Sequence, residues 1–563
     1  MKNRLKSATH QLSESSPAVT LDSFRRIKTF SVPSAPSNGN TLVSLNQILQ
    51  RLADPAANHQ LLEIKRGVEK ESLRTTNNGF ISITPHPKAL GSPLTHPSIT
   101  TDFSEALLEF ITAPSNNISD VLGELDDIHR FVYAQIGEEL LWVNSMPCQM
   151  KANVEIPIAK FGRSNVGKMK HVYRIGLGHR YGRSMQTIAG IHYNFSVPDS
   201  IWQQIAEFQK PRLSLKDIKT DGYFGLIRNF RRSAWLLNYL FGATPSVCAS
   251  FVHGKTHKLQ FLNNKKSYYS PYATSLRMGD LGYQSQAQAS LNVTYNDMDS
   301  YTTSLKAALQ ENYPKYQVIG LKDDSGHLRQ LNTNLLQIEN EFYSEIRPKQ
   351  PTKSGESPMQ ALLDRGVEYV EVRCLDLDPF TLLGIDSTTI RFLDTFLLSC
   401  LLSESPLSDE REQYEIVHNK NASVYRGRDP RLRLRCQDQS ISLKEWGEKI
   451  LIDLQPIASL LDAAHGGNAY DGALAKMASR IEQPALTPSA RIIDEMNTHN
   501  ESYIQFGIRW AKQHSKNFAS RTPDGALNVK QQDIAKASLL KQKQIESSDH
   551  LSFEHYLEQY YRQ

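Results

Sequence analysis

LLEIKRGVEKESLR, residues Leu61–Arg74, reads as a β-strand with two unlike faces. In a strand, successive side chains point to opposite sides. Leu62, Ile64 and Val68 therefore share a face that suits a core. Glu63, Lys65, Gly67, Glu69 and Glu71 share the other, which is crowded with charge around a glycine. Carboxylates two residues apart on a strand point the same way and repel unless a cation lies between them. A solvated edge strand is the plain alternative for such an ExE pair, and the rest of the chain has to discriminate.

Several later stretches repeat the pattern. In Ile99–Thr112, ITTDFSEALLEFIT, an extended 105–111 puts Glu105 and Glu109 on one face, with Asp102 at the entrance and Ala106, Leu108 and Phe110 opposite; helix is also open there. Gln186–Pro198 alternates cleanly, so Gln186, Gly190, His192 and Asn194 share a polar face beside Ile188. Leu335–Lys349 groups Gln337, Glu339, Glu341 and Tyr343, and GVEYVEVRCLDLDPF groups Tyr369, Glu371 and Arg373. An acid and an arginine on an otherwise buried strand need partners, and a metal and a phosphate would serve. Tyr268–Tyr283 is loop-rich, with four tyrosines and one central Arg277, a composition suited to a small polar molecule carrying a carboxylate.

Val121–Leu141 reads as one long amphipathic helix, and Leu42–Leu52 as a short one. Gly162–Lys170, GRSNVGKMK, is a polar loop with two lysines that lacks full P-loop spacing. HVYRIGLGHRYG follows with helical character and contributes Tyr173, Arg174, Arg180 and Tyr181. Beyond Asp386 the spacing is mainly helical. Arg426–Arg435, RGRDPRLRLR, is the densest basic run; a solvated edge strand explains it more simply than an RNA-binding patch.

Composition agrees with a soluble globular chain: 39% hydrophobic and 22% charged residues leave ample material for a core. The net charge of +5 is mild and dispersed, which favours anionic small molecules over nucleic acid. No apolar run approaches the roughly 20 residues of a membrane span. The N-terminal segment lacks the apolar centre of a secretory signal. Five scattered cysteines without CxxC spacing read as reduced thiols, so a cytoplasmic location is expected. Residues 1–40, rich in Ser, Pro and Asn, are expected to be a flexible leader. The remainder divides into an α+β core over 41–386 and a mainly helical region over 387–563 packed on it.

Strands with one apolar face and one face of acids, Gln, His and Arg imply a sheet whose concave side is a polar active site. Hard oxygen donors without cysteine point to Mg²⁺ or Mn²⁺. Carboxylates around such ions, with arginines nearby, are what phosphoryl transfer from ATP requires.

RGVEKESLR, ITTDFSEALLEFIT, MQTIAGIHYNFSVP, PYATSLRMGDLGY, NLLQIENEFYSEIRPK and VEYVEVRCLDLDPF together resemble the signature segments of the proteobacterial glutamate–cysteine ligases, or γ-glutamylcysteine synthetases. The resemblance runs in order from Leu61 to about Asp386 and more weakly beyond. It implies a fold related to glutamine synthetase and the guanidino kinases, in which a curved, mostly antiparallel sheet forms a funnel surrounded by helices. It implies that ATP phosphorylates the γ-carboxylate of L-glutamate and that the L-cysteine amine attacks the acyl phosphate, giving γ-glutamylcysteine in the first step of glutathione biosynthesis. By motif position it implies a metal set of Glu69, Glu71, Asp102, Glu109, His192 and Glu371, holding two or more ions. Arg373 and Arg174 would neutralise the transferred phosphoryl group; Arg277 would hold a substrate carboxylate. Tyr173, Gln186, Tyr283 and Tyr343 would shape the amino-acid pockets. A monomer, feedback inhibition by glutathione, and no nucleic-acid or membrane partner are further expectations. A related carboxylate–amine ligase with another amine acceptor is the nearest alternative.

Overall fold

β1 (Lys65–Thr75) begins four residues later than the sequence pattern suggests and is the longest strand described. It is followed by β2 (Ile99–Thr101), β3 (Leu107–Ile111), β4 (Leu140–Leu141) and β5 (Ile191–Ser196). Three short strands, β6 (Ser246–Cys248), β7 (Gln260–Phe261) and β8 (Ser267–Tyr269), form a separate small sheet. β9 (Ile346–Lys349) and β10 (Tyr369–Leu375) complete the main sheet, and β11 (Arg433–Cys436) pairs with β12 (Gln439–Ser442) as a hairpin. These elements come from a computed structural model that describes residues 50–563 except 151–155, 209–212, 263–265, 283–286, 289–290, 354 and 522–524.

The main sheet runs β2-β3-β1-β5-β10-β9, with β4 on the far end of β1, and every pairing is antiparallel. Helices α1 (Ile118–Tyr133), α2 (Asn165–Tyr181), α3 (Leu215–Phe241) and α4 (Ser387–Leu402) surround it. α3 packs along β9 and β10 and against α4, with Phe230 edge-on to Phe396. The expected α+β architecture with an antiparallel sheet and a helical C-terminal region is therefore present. Residues 50–563 belong to one compact unit. The expected leader 1–40 and most of the helix expected over 42–52 lie outside the described residues.

Local chemistry explains where sequence and structure part. The helix expected over 121–141 stops at Tyr133, because Gly137 takes a positive φ of 61° that continues no helix, and Leu140–Leu141 then pairs with β1. Glu105 does not share a face with Glu109. It precedes β3, and its carboxylate accepts from the backbone N–H groups of His86 and Lys160, both at 2.6 Å. Leu335–Lys349 is not one strand: Glu339–Glu341 is a 3₁₀ turn before β9. Asn165–Lys170, two thirds of the Gly162–Lys170 stretch, is the start of α2, capped by Ser164 accepting from Gly167 N–H. The basic run 426–435 ends in the β11–β12 hairpin; Arg426 and Arg431 pair with Asp429, and Arg433 donates to Ser440. Among the described residues no helix is long and apolar enough to cross a membrane, and the five cysteines are free.

The core-facing side of β1 is less apolar than its sequence suggests. Arg66, Lys70 and Arg74 are all buried there beside Val68. Each has a partner: Arg66 bonds Asp394 of α4 at 2.9 Å, Lys70 Nζ lies 2.7 Å from His129 Nε2 of α1, and Arg74 bonds Glu139 at 2.6 Å. Tyr193 of β5 also donates to Asp394, and Arg66 donates to the Asn116 carbonyl. β1 is thereby bound to the helical region through a fully buried ion pair. Removing one partner of such a pair leaves an uncompensated buried charge. Asp394→Ala should accordingly lower unfolding free energy by about 3–5 kcal/mol, read as a shift of the urea midpoint; a shift under about 1 kcal/mol would contradict this anchoring role.

Candidate active site

Sheet register assembles the acidic cluster. Across β1 and β5, Glu69 stands opposite His192; across β1 and β3, Glu71 stands opposite Glu109. Glu371 on β10 faces Asn194, two residues from His192 and on the same face of β5. His192 Nδ1 lies 3.2 Å from Glu69 Oε2 and 3.3 Å from Glu371 Oε1, while its Nε2 is 4.0 Å from Glu71 Oε1. The β10–β5 register shifts between Val372 and Leu375, so one extra residue is taken up at Arg373 and Cys374. A bulge there re-aims a side chain, and Arg373 Nη1 donates to Glu371 Oε1 at 3.1 Å.

Gly190 permits the close packing behind this cluster. Its N–H donates to Glu71 Oε2 at 2.6 Å, and a Cβ at this position would sit 1.9 Å from Arg277 Nη2. Arg277 is fully buried, donates to the Arg373 carbonyl at 2.9 Å, and has Asp376 at 3.7 Å.

Two cavities converge on the cluster. One, of about 710 Å³, is lined by Glu69, Glu71, Asp102, Glu109, Tyr173, Arg174, Gln186, His192, Tyr343, Glu371 and Arg373. The other, of about 640 Å³, reaches Arg277 and shares His192, Tyr343 and Arg373 with the first. Twelve of the thirteen residues singled out from sequence thus border these two spaces. Tyr283 lies outside the described residues. Asp102 follows β2, and its backbone carbonyl accepts from Arg174 Nε.

Sequence reasoning missed several contributors. Arg347 and Lys349 of β9 line the larger cavity, with Lys349 Nζ 3.3 Å from Glu371 Oε2. The C-terminal helices α5 (Gly525–Ser548) and α6 (Phe553–Tyr561) supply Lys541, Ile545, Tyr556 and Tyr560. Ser92 donates to Gln542 at 2.5 Å, Thr95 donates to the Ser538 carbonyl at 2.6 Å, and Asn165 bonds Asp549. The helices are thus clasped to the cavity wall. Arg347 and Lys349 of β9 carried the alternation signal; α5 and α6 carried none, since their sequence shows only helical spacing.

Electrostatics divide the carboxylates. Burial works against ionisation of Glu371, yet Lys349, Arg373, His192 and Arg347 hold it well below the usual carboxylate range. Glu69 is likewise lowered: burial and Glu371 oppose this, but His192 and Lys349 outweigh them. Glu71 is pushed up by burial and by Asp102, and Glu109 is pushed well up by burial and by Glu69, Asp102 and Glu71. Burial and Arg373 lower the His192 pKa, which favours the neutral imidazole that ligates metals. One donor atom each from Glu69, His192 and Glu371 lies within 4.8 Å of the other two. An oxygen-rich set with one imidazole and no thiolate fits Mg²⁺ or Mn²⁺.

Known proteins place this geometry. The family model described as glutamate-cysteine ligase matches residues 49–423. The glutamate–cysteine ligase of Alcanivorax borkumensis is 48% identical over 521 residues, covering 92% of this chain and 99% of that protein. The chain belongs to the glutamate–cysteine ligase family. The ligase of Saccharophagus degradans is 48% identical over 89% of this chain and 95% of its own length. Among solved structures, the Francisella tularensis glutamate–cysteine ligase in complex with AMP superposes with a TM-score of 0.83 at 38% identity, covering 89% of this chain and 98% of that one. The family model ends before α5 and α6, so the cavity wall they build lies beyond the matched segment.

If Glu71 and Glu109 ligate a cation, its binding must displace the protons that burial and repulsion favour on them. Titrating the protein with Mg²⁺ in weakly buffered solution should therefore release protons, and affinity should strengthen as pH rises, because both pKa values are raised. Affinity independent of pH, with no proton release, would show that these two carboxylates take no part.

Proposed function

We propose that this chain joins the γ-carboxylate of L-glutamate to the amine of L-cysteine with ATP, through a γ-glutamyl phosphate, releasing γ-glutamylcysteine, ADP and phosphate. The observation that carries the reading is the Glu69–His192–Glu371 cluster, ringed by Arg373, Arg347 and Lys349, in a chain of this family. Two cavities meeting at His192, Tyr343 and Arg373 provide room for three substrates around one reaction centre.

Glu69, Glu71, Asp102, Glu109, His192 and Glu371 would hold Mg²⁺ or Mn²⁺. Such ions, when bound, would offset the negative charge of the phosphates. Arg373 stands 3.1 Å from Glu371 and so borders the same space, where its guanidinium neutralises charge developing on the transferred phosphoryl group. Arg174, fixed on α2 by the Asp102 and Lys170 carbonyls, presents a second guanidinium from the opposite wall. Tyr173, Gln186 and Tyr343 shape the amino-acid pockets, with Tyr283 assigned by motif position. Arg277 orients a substrate carboxylate from the second cavity.

No catalytic nucleophile is required. Phosphorylation makes the carboxylate an acyl donor, and positioning plus charge neutralisation supply the acceleration. α5 and α6 wall the cavity, which limits hydrolysis of the acyl phosphate by water. Glutathione, which contains the product's γ-glutamylcysteinyl unit, would compete for the same pockets and act as a feedback inhibitor.

ADP release by the purified full chain with ATP, Mg²⁺ and L-glutamate tests this reading directly. Release should depend on L-cysteine, and Glu371→Gln should lower kcat/KM at least about 100-fold. Turnover with another amine but not with cysteine would overturn the acceptor assignment, and no turnover with any amino acid would overturn the ligase reading.

A further inference from the structure

Lys170 is a charged residue of the cavity wall to which the proposed reaction assigns no task. It lies on α2 one turn before Arg174, and Lys170, Tyr173, Arg174 and Leu177 form one helical face that lines the larger cavity. Phe161 underlies both cations, 5.4 Å from the Lys170 ammonium and 4.4 Å from the Arg174 guanidinium.

The two cations are satisfied differently. Arg174 donates to the carbonyls of Asp102 and Lys170. Lys170 has no carboxylate within ion-pairing distance among the described residues, whereas Lys349 across the cavity has Glu371 at 3.3 Å. The walls desolvate the Lys170 ammonium and Arg174 repels it, with only Glu109 pulling the other way, so its pKa falls to about 8. Placing one cation a helical turn from another, on a shared aromatic ring inside a walled space, is unfavourable unless something brings a counter-charge.

Nor is the placement a consequence of a loose helix end. Asn165, in the first turn of α2, donates to Asp549 at 2.6 Å and to the Leu551 carbonyl at 2.8 Å, and Arg163 N–H donates to Glu546. α5 and the segment that joins it to α6 thus hold the first turn of α2, just before Lys170.

We infer that Lys170 binds an anionic group of a substrate, with its ammonium beside Arg174 meeting a carboxylate or phosphate oxygen that enters the cavity. The inference rests on the ligase reading. Either a carboxylate of L-glutamate or L-cysteine or a phosphate of ATP supplies this chemistry, and Phe161 supports the cation while the ligand completes its charge balance. Lys170 is a binding residue here, with no proton transfer assigned to it.

The test uses the full chain with Lys170→Met and Lys170→Arg. Calorimetric affinities are measured separately for a non-hydrolysable ATP analogue with Mg²⁺, for L-glutamate and for L-cysteine, together with the thermal midpoint of the ligand-free protein. Lys170→Met should weaken one ligand about ten- to hundredfold and leave the others within about twofold. The ligand-free midpoint should stay unchanged or rise, since a cation without a carboxylate partner has been removed. Lys170→Arg should recover most of the lost affinity. The ligand that moves identifies the source of the anion. Unchanged affinity for all three, or an equal loss for all three with a lower midpoint, would overturn the inference in favour of a structural role. Because the readout is binding, a wild-type chain that binds substrates without releasing ADP would count against the ligase reading alone.

Discussion

Electrostatic repulsion among carboxylates is the constraint around which this molecule is arranged. Register places Glu109, Glu69 and Glu71, His192 and Glu371 on one face of four neighbouring strands, β3, β1, β5 and β10. Burial and the neighbouring carboxylates together raise the pKa of Glu71 and of Glu109. The protein answers with Lys349, Arg373 and Arg347 around Glu371, which hold its pKa low, while His192 and Lys349 lower that of Glu69. The cations are not spread evenly. Those carried by the sheet gather at the β9–β10 side, while Lys170 and Arg174 of α2 face the acid-rich β1–β3 side. That gradient suits a phosphate chain lying between fixed cations and bound metal ions.

A sheet face so charged needs a rigid support, and the reverse face of β1 supplies it. Arg66, Lys70 and Arg74 alternate with Glu69 and Glu71 along the same strand, and each is buried against a different element. Burial lowers the Lys70 pKa to about 7, in keeping with a lysine whose near neighbour is an imidazole and not a carboxylate. Arg66 instead meets Asp394 in a fully buried pair that joins the catalytic sheet to α4. The strand that positions the acids is therefore held by polar contacts on its back, whose geometry is more directional than apolar packing.

Much of the site was legible because strand alternation is a strict period. Glu69 with Glu71, His192 with Gly190, and Glu371 with Arg373 were grouped correctly from their spacing. Pairing between strands was not legible: nothing in the sequence sets Glu69 opposite His192 or Glu71 opposite Glu109. Alternation also misled where a strand had not yet begun, as at Glu105, whose carboxylate caps two backbone N–H groups. The buried arginines and lysine of β1 were overlooked because their partners lie on α1, on α4 and at Glu139, far along the chain. The same holds for α5 and α6, whose helical spacing carries no chemistry until tertiary contacts bring Lys541 and Tyr560 to the cavity. Lys170 was visible only as part of a glycine–lysine segment; its significance comes from Phe161 beneath it and Arg174 beside it.

The central claim is that the Glu69–His192–Glu371 cluster holds the divalent ion that the phosphates of ATP meet. Pulsed electron paramagnetic resonance of the full chain with Mn²⁺ and a non-hydrolysable ATP analogue tests it most directly. The account predicts nitrogen coupling from one imidazole together with phosphorus coupling from the nucleotide, with the nitrogen signal lost in His192→Gln. Phosphorus coupling without any nitrogen signal, or a nitrogen signal that survives in His192→Gln, would contradict it.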